Sequence, residues 1–192
     1  MNPVLSVIVP SIRPLNLLNL YKSIDVDDFE MIVITPYLLT HDLGISSYKN
    51  IKSIYSRRSP NACQQQGLMV ATGDYITFAA DDGEFLPNAL DYAVGMAEEN
   101  TIVVGKYLEG DNPNPDMLKE DYYKFKYHKA YRIKGVPQDC LIFNCGIISR
   151  KLIMQLGGWD AEYFDVPTIG HADLGIRAFK YEAEIMLLSI VK

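Results

Sequence analysis

The run VLSVIV, from Val4 to Val9, restricts the fold more than any other stretch of the chain. A strand with one wet face would alternate apolar and polar residues; this one is almost continuously apolar and β-branched, so it belongs in a sheet covered on both faces. Such sheets are parallel, and parallel strands need helical crossovers. Pro10 ends the run, Ser11-Ile12-Arg13 makes a loop, and Pro14 suits the first turn of a helix in which Leu17, Leu20, Tyr21 and Ile24 recur at helical spacing. Phe29 to Ile34 reads as a second strand closed by Thr35-Pro36, and Ile51 to Tyr55 as a weaker third. Tyr37 to Asn50, between them, reads as a loop with a short helix. Ser59-Pro60 supplies a capping hydroxyl before a proline, starting a helix expected to reach about Ala71 and end at Gly73. Tyr75 to Ala79 is the next strand, Leu86-Pro87 opens a helix with Leu90, Ala93, Val94 and Ala97 along one face, and Thr101 to Val104 is a further strand. This alternation predicts an α/β fold with a mostly parallel, doubly wound sheet flanked by helices.

At 192 residues with 48% hydrophobic and 22% charged residues, the chain suits one well-buried domain. Its net charge of -6 gives no general attraction to nucleic acid or anionic lipid, which argues against a nucleic-acid partner. The amino-terminal apolar run has no basic segment before it and is broken by Pro10, Arg13 and Pro14, so it reads as a strand and not a signal peptide. The longest apolar stretch, IMLLSIV, falls well short of the roughly 20 residues of a membrane helix. Cys63, Cys140 and Cys145 are odd in number and lack zinc-ligand spacing, which points to free thiols in a reducing, cytoplasmic setting.

The stretch DYITFAADDGEF ends an apolar strand on two carboxylates, Asp81 and Asp82. Open α/β sheets bind ligands at the carboxyl ends of their strands, and a hard cation takes carboxylate oxygen. Asp-Asp-Gly is also ordinary turn chemistry, so on these residues alone both readings stand. Beyond DNPNPD, which its prolines keep irregular, the segment KEDYYKFKYHKAYRIKG interleaves aromatic and basic residues. It is read either as a stacking surface for bases or sugar faces or as a partly buried amphipathic element. Cys140 to Asn144 reads as a strand leading to a tight turn at Cys145-Gly146, followed by a helix from Arg150 to Leu156 that Gly157-Gly158 ends. Trp159-Asp160 follows. Gly170-His171-Ala172-Asp173 precedes a helix to Tyr181, and Glu184 to Val191 is a last strand. Asp173 and Arg177 stand four apart, so an ion pair is reason enough for Asp173. His171 has no such reason.

In this order SVIVPSIRP, FEMIVITP, SPNACQQQGLMVATGDYITFAADD, FNCGIISRKLIMQLGGWDAEYF and GHADLGIR resemble the segments of a family 2 glycosyltransferase with the A-type nucleotide-sugar fold. The resemblance implies a nucleotide-sugar-binding half over residues 1–108 and an acceptor-side half over 109–192. It implies a nucleotide-diphospho-sugar donor, a UDP-sugar before others, a glycan or other hydroxyl acceptor, and a divalent cation, Mn²⁺ or Mg²⁺. Carried over residue by residue, it assigns Pro10, Ser11, Arg13, Thr35, Arg57 and Asp81 to the nucleotide-sugar, with Arg58 an alternative to Arg57. Asp82 falls to the metal and Asp81 to ribose or metal. Asn144, Cys145, Gly146, Trp159 and Asp160 fall to the acceptor side.

Four motif positions depart from the family pattern. The first aspartate of its metal motif is Ala80, an acidic residue after the second strand is Thr35, and its Ala-Arg-Asn is Cys63-Gln64-Gln65. Where the family carries an acidic pair that includes the catalytic base, this chain has Gly170-His171. Glycosyl transfer requires neutralisation of the leaving diphosphate and removal of a proton from the acceptor hydroxyl. An imidazole, whose ordinary pKa is about 6.5, suits the second task, which makes His171 the expected base and Asp173 its reserve. The expected reaction inverts the anomeric carbon. The alternative is a non-catalytic nucleotide-sugar or glycan-binding module of the same fold. A nucleotidyltransferase is disfavoured, because Pro10 to Leu15 contains no glycine. Family members often continue into a segment that closes over the acceptor, so a lid is expected from further chain or from a partner.

Overall fold

The computed structural model describes residues 3–39, 45, 47–104, 146–164 and 167–187. Strand β1 is Leu5–Pro10, followed by a 3₁₀ turn at Pro14–Asn16 and helix α1, Leu17–Lys22. Then come β2 (Phe29–Thr35), β3 (Ile51–Tyr55), α2 (Pro60–Val70), β4 (Tyr75–Phe78), α3 (Ala89–Met96) and β5 (Thr101–Val104). From the next described residue, Gly146, onwards come β6 (Gly146–Ser149), α4 (Arg150–Gln155), α5 (Pro167–Lys180) and β7 (Glu184–Leu187). The seven strands lie in the order β3-β2-β1-β4-β6-β5-β7. β1 pairs in parallel with β2 and β4, β2 with β3, and β5 with β7. Only β6 is reversed, running antiparallel to both β4 and β5.

Burial explains why β1 is apolar at successive positions. Ile8 enters the layer beneath α2 and α5 with Ile32, Ile34, Phe78, Leu68 and Leu174, whereas Val7 and Val9 enter the opposite layer with Leu17, Leu20, Leu90 and Ala93. Successive side chains of a strand point to opposite faces, and here both faces are covered. The polar exception, Ser6, is fully buried and belongs to a knot at the amino end of the sheet. Its hydroxyl donates to Glu30 Oε1 at 2.7 Å and accepts from the Gly73 amide at 2.9 Å. A Cβ on Gly73 would lie 2.7 Å from the Ser6 amide nitrogen, so this crossing requires glycine.

Glu30 also accepts from the Thr72 amide and hydroxyl at 2.6 and 2.8 Å, and pairs with Lys52. Burial alone would push its pKa up; Lys52, Ser6 and Thr72 more than offset that and hold it at about 2, against an ordinary 4.5. The folded carboxyl therefore binds its proton less tightly than the unfolded one. Its contribution is complete above about pH 4.5 and is lost as the pH falls towards 2. Discounted for the screening that reaches half-exposed Lys52, that contribution is on the order of 2 kcal/mol. Urea unfolding from pH 7 downwards should show this extra acid loss in the native chain and not in Glu30→Gln.

Three expectations are corrected. Gly146, expected in a turn, opens β6, because its backbone pairs with Val104 of β5. The helix expected from Leu86-Pro87 starts at Ala89, since Asn88 takes a left-handed φ of 64° that asparagine tolerates. Helix α5 begins at Pro167, so Gly170 to Asp173 lie inside it and do not precede it. The expected Cys140 to Asn144 strand, with Asn144 and Cys145, and the aromatic-basic segment lie outside the described residues, as do residues 40–44 and 46 of the loop where a short helix was expected. Among the described residues no helix is long and apolar enough to cross a membrane.

Candidate active site

After β1 the chain moves to β2 on one side; β4 later adds on the other, so the sheet's topological switch lies between β1 and β4. Connections leaving these strands in opposite directions open a crevice at their carboxyl ends. The Ala79 amide bonds to Ile8 O at 3.0 Å and carries the pairing to the last residues before the acidic pair. There the loop after β1 wraps around Asp81. Oδ2 accepts from Ser11 Oγ (3.1 Å), Ile12 N (2.9 Å) and Arg13 N (2.7 Å), while Oδ1 accepts from Arg13 Nε (3.0 Å) and Nη2 (2.6 Å).

Asp81 is 3% exposed. Burial pushes its carboxyl up, but the Arg13 side chain, the Arg13 and Ile12 amides and the Ser11 hydroxyl together hold it below the usual aspartate range. The same hydrogen bond to Asp81 holds the Arg13 guanidinium more firmly protonated against partial desolvation. Asp82 shares the same guanidinium but is not enclosed. Its half-exposed carboxylate meets Arg13 Nη1 at 2.7 Å through Oδ2 alone.

Beside this lock opens a cavity of about 430 Å³. Pro10, Ser11, Arg13 and Asp81 form one wall, Ile34 and Pro36 come from the end of β2 and just beyond it, and Ser56, Arg58, Cys63 and Gln64 come from the β3–α2 connection and α2. His171 reaches it from α5. Helix α2 is started as its sequence requires: Ser59 Oγ accepts from the Ala62 amide at 3.4 Å, and Pro60 occupies the first turn.

His171 is placed by the segment after α4. Gly157 and Gly158, with φ of 87° and 69°, end that helix in a left-handed turn and send Trp159 inward. The Trp159 amide donates to Gln65 Oε1 at 2.8 Å, and the indole stands edge-on to Phe78 (5.0 Å) and to His171 (4.8 Å). Gly170 packs on α2 so closely that a Cβ would lie 2.5 Å from the Asn61 amide, and Asn61 is itself fully buried. An acidic side chain at position 170 would displace Asn61, which accounts physically for the glycine beside the imidazole.

Pro10, Ser11, Arg13, Asp81 and His171 thus converge on one cavity. Thr35 does not line it: the side chain is fully buried, its Oγ1 accepts from the Tyr37 amide at 3.3 Å, and Ile34 and Pro36 flank it at the cavity. Arg58 lines the cavity where Arg57 does not. Asp173 accepts from Arg177 at 2.8 and 2.6 Å, and the same guanidinium reaches Leu156 O and Gly158 O, so this pair ties α5 to the end of α4. Trp159 is buried beneath His171, Asp160 caps the turn at Glu162 and Tyr163, and Gly146 is buried in β6. In the sequence Ser56 and Asn61 carried no functional reading, and Gln64 stood only as part of the departure from the family's Ala-Arg-Asn segment. The signal for Asn61 and Gln64 was polar residues three apart on the buried face of α2.

As a metal centre the site is sparse. Among the described residues no three His, Cys, Asp or Glu side chains gather around a common point. Five donors occupy both oxygens of Asp81, so it has no free acceptor for a cation. Asp82 fits as a single protein ligand, since its Oδ1 makes no bond among the described residues and phosphate oxygens and water complete the shell of a hard cation.

A mostly parallel seven-stranded sheet with one reversed strand inserted beyond its switch point is the architecture of the nucleotide-diphospho-sugar transferases. The chain belongs to glycosyl transferase family 2, whose profile matches residues 44–157, more than half its length. Among solved structures, one of S. aureus TarS 1-349 is similar over 100% of this chain and 59% of that one, with a TM-score of 0.64 and 19% identity. A second, of S. aureus TarS, is similar over 100% of this chain and 36% of that one, with a TM-score of 0.67 and 18% identity. These likenesses are of fold, and the chain spans less than two thirds of either neighbour. No curated protein sequence matches it significantly.

Proposed function

We propose that the chain moves a sugar from a nucleotide-diphospho-sugar, UDP-linked by family resemblance, to the hydroxyl of a glycan or similar acceptor. Displacement is single and inverting, with the donor held by residues 1–108 and the acceptor met by 109–192. The observation that carries this reading is the Arg13–Asp81 lock at the sheet's switch point, facing His171 across one cavity. Ser11 and Arg13, fixed in place by Asp81, meet the ribose end of the donor, Arg58 takes the diphosphate charge that Arg57 was expected to take, and His171 receives the acceptor proton. Asp82 is the protein ligand for Mn²⁺ or Mg²⁺. What a bound cation supplies is neutralisation of the leaving diphosphate.

Thermal melts with nucleoside diphosphates and their sugars, with and without Mn²⁺ or Mg²⁺, test the reading. Binding at about 100 times Kd stabilises by about 2.7 kcal/mol, a rise of several degrees. Asp82→Asn is expected to remove the metal-dependent part of that rise. No shift with any nucleotide, or one indifferent to metal in both proteins, counts against the assignment. The pairing of Asp173 with Arg177 favours a second reading, a binding module without turnover. It predicts the same melting shifts with no consumption of the sugar-nucleotide.

A further inference from the structure

Helix α2 meets two parts of the molecule at once. Pro60, Cys63 and Gln64 belong to the wall of the cavity. Asn61 and Gln65 are not among the described residues that line it, and at four residues apart they are neighbours on one face of the helix. Both carboxamides reach instead to the chain between α4 and α5. Gln65 Oε1 accepts from the Trp159 amide at 2.8 Å, and Asn61 Nδ2 donates to Phe164 O. The fit is close at both: a Cβ on Gly158 would overlap Gln65 Oε1, and one on Gly170 would lie 2.5 Å from Asn61 Nδ2. Both grips adjoin His171. The Trp159 indole, 3% exposed, stands edge-on to the imidazole at 4.8 Å, and Gly170 immediately precedes it.

We propose that Asn61 and Gln65 are positioning residues: by gripping the chain at Phe164 and Trp159 they fix His171 where it meets the attacking hydroxyl beside the donor. This rests on the nucleotide-sugar reading above, with His171 as the base. The imidazole stands on α5, whereas α2 helps to bound the space for the donor, so the separation of the reacting groups depends on how α5 is held to α2. The Asp173–Arg177 pair cannot set it, because Arg177 reaches only Leu156 O and Gly158 O at the end of α4. The two carboxamides join α2 to the segment that carries the chain into α5. A general base acts within hydrogen-bond reach of its proton, and a misplacement of about 1 Å costs up to about 10²-fold in rate.

The test is steady-state kinetics of the native chain, Gln65→Met, Gln65→Glu and Asn61→Ser with the glucose conjugates of UDP, CDP, ADP and GDP and Mn²⁺, read as release of the nucleoside diphosphate with water as acceptor. Tryptophan fluorescence accompanies it, and because the chain has a single tryptophan, Trp159, the emission reports this contact alone. Gln65→Met keeps the length of the side chain and removes the acceptor. It is expected to lower kcat by about 10- to 100-fold with donor KM within about twofold, and to move the emission to longer wavelength as the indole loosens. Gln65→Glu keeps an oxygen at the same reach and is expected to restore most of the lost kcat and the native emission. Asn61→Ser should lower kcat in the same way; Asn61 is fully buried, so if this variant melts below the assay temperature the Gln65 pair decides. Native kcat in Gln65→Met overturns the assignment, as does an equal loss in Gln65→Glu. A rise in donor KM that accounts for the loss would move the residue to the donor, and a loss of kcat with native emission would mean that it does not act through Trp159; either also overturns it. A native chain that releases no diphosphate from any conjugate overturns the transfer reading itself, and this inference with it, before any substitution is made.

Discussion

Asp81→Ala is expected to lower the melting temperature by about 6–12 °C and to abolish nucleotide binding, the former corresponding to about 3 kcal/mol for a domain of this size. Residues 11–13 wrap around this carboxylate. Removing it leaves the Ile12 and Arg13 amides and the Ser11 hydroxyl without their acceptor. Arg13 is half-exposed and rehydrates, so the loss is smaller than for a fully buried ion pair, where about 3–5 kcal/mol is typical. Asp81→Asn keeps the shape and one acceptor but not the charge, and is expected to fall between the two proteins. The pH dependence has a definite sign. Because Asp81 is held below the usual aspartate range, its contribution is present above that range and is lost as the pH falls through the folded pKa. Calorimetric melts and nucleotide titrations check both effects; a stability change under about 1 kcal/mol with binding intact would mean that the lock is not what organises the pocket.

His171→Ala is expected to lower sugar transfer by about 10²- to 10⁴-fold while donor affinity stays within a few fold, the pattern of a lost general base. The ring packs edge-on against Trp159, so alanine also removes contact; His171→Asn keeps more of that surface and should lose transfer equally. Asp173→Asn should behave differently. It breaks the pair with Arg177 that joins α5 to the carbonyls at the end of α4, and its principal effect should be a lower melting temperature with transfer largely kept. Transfer that survives His171→Ala but not Asp173→Asn would reverse the assignment of the base.

Much of the site was legible as a set of positions and little of it as geometry. The acidic pair ends a run of buried β residues, which is visible in DYITFAADDGEF, but the division of labour within the pair is not. One carboxylate turns inward to five donors and the other stays half-exposed, and this follows from a loop some seventy residues earlier in the chain. Similarly, Arg57 and Arg58 are equivalent as letters, and only the path of the chain after β3 puts the second at the cavity. Gln64 and Gln65 divide in the same way, a step of about 100° around a helix separating a residue that lines the cavity from one that holds Trp159 in place.

By itself the sequence determined what depends on a few neighbouring residues. It specified the doubly covered strands through their unbroken apolar runs, the start of α2 through Ser59 and Pro60, the stop after α4 through Gly157-Gly158, and the Asp173–Arg177 pair through helical spacing. These are short-range because caps, periodicity and left-handed glycines act within one or two turns. Tertiary structure alone decided that β6 runs against its neighbours, that Asp81 is saturated while Asp82 is not, and that Asn61 requires a glycine next to His171. Strand direction, register and close approach depend on residues distant in sequence, and hydrophobic periodicity carries no information about which neighbour a side chain will meet.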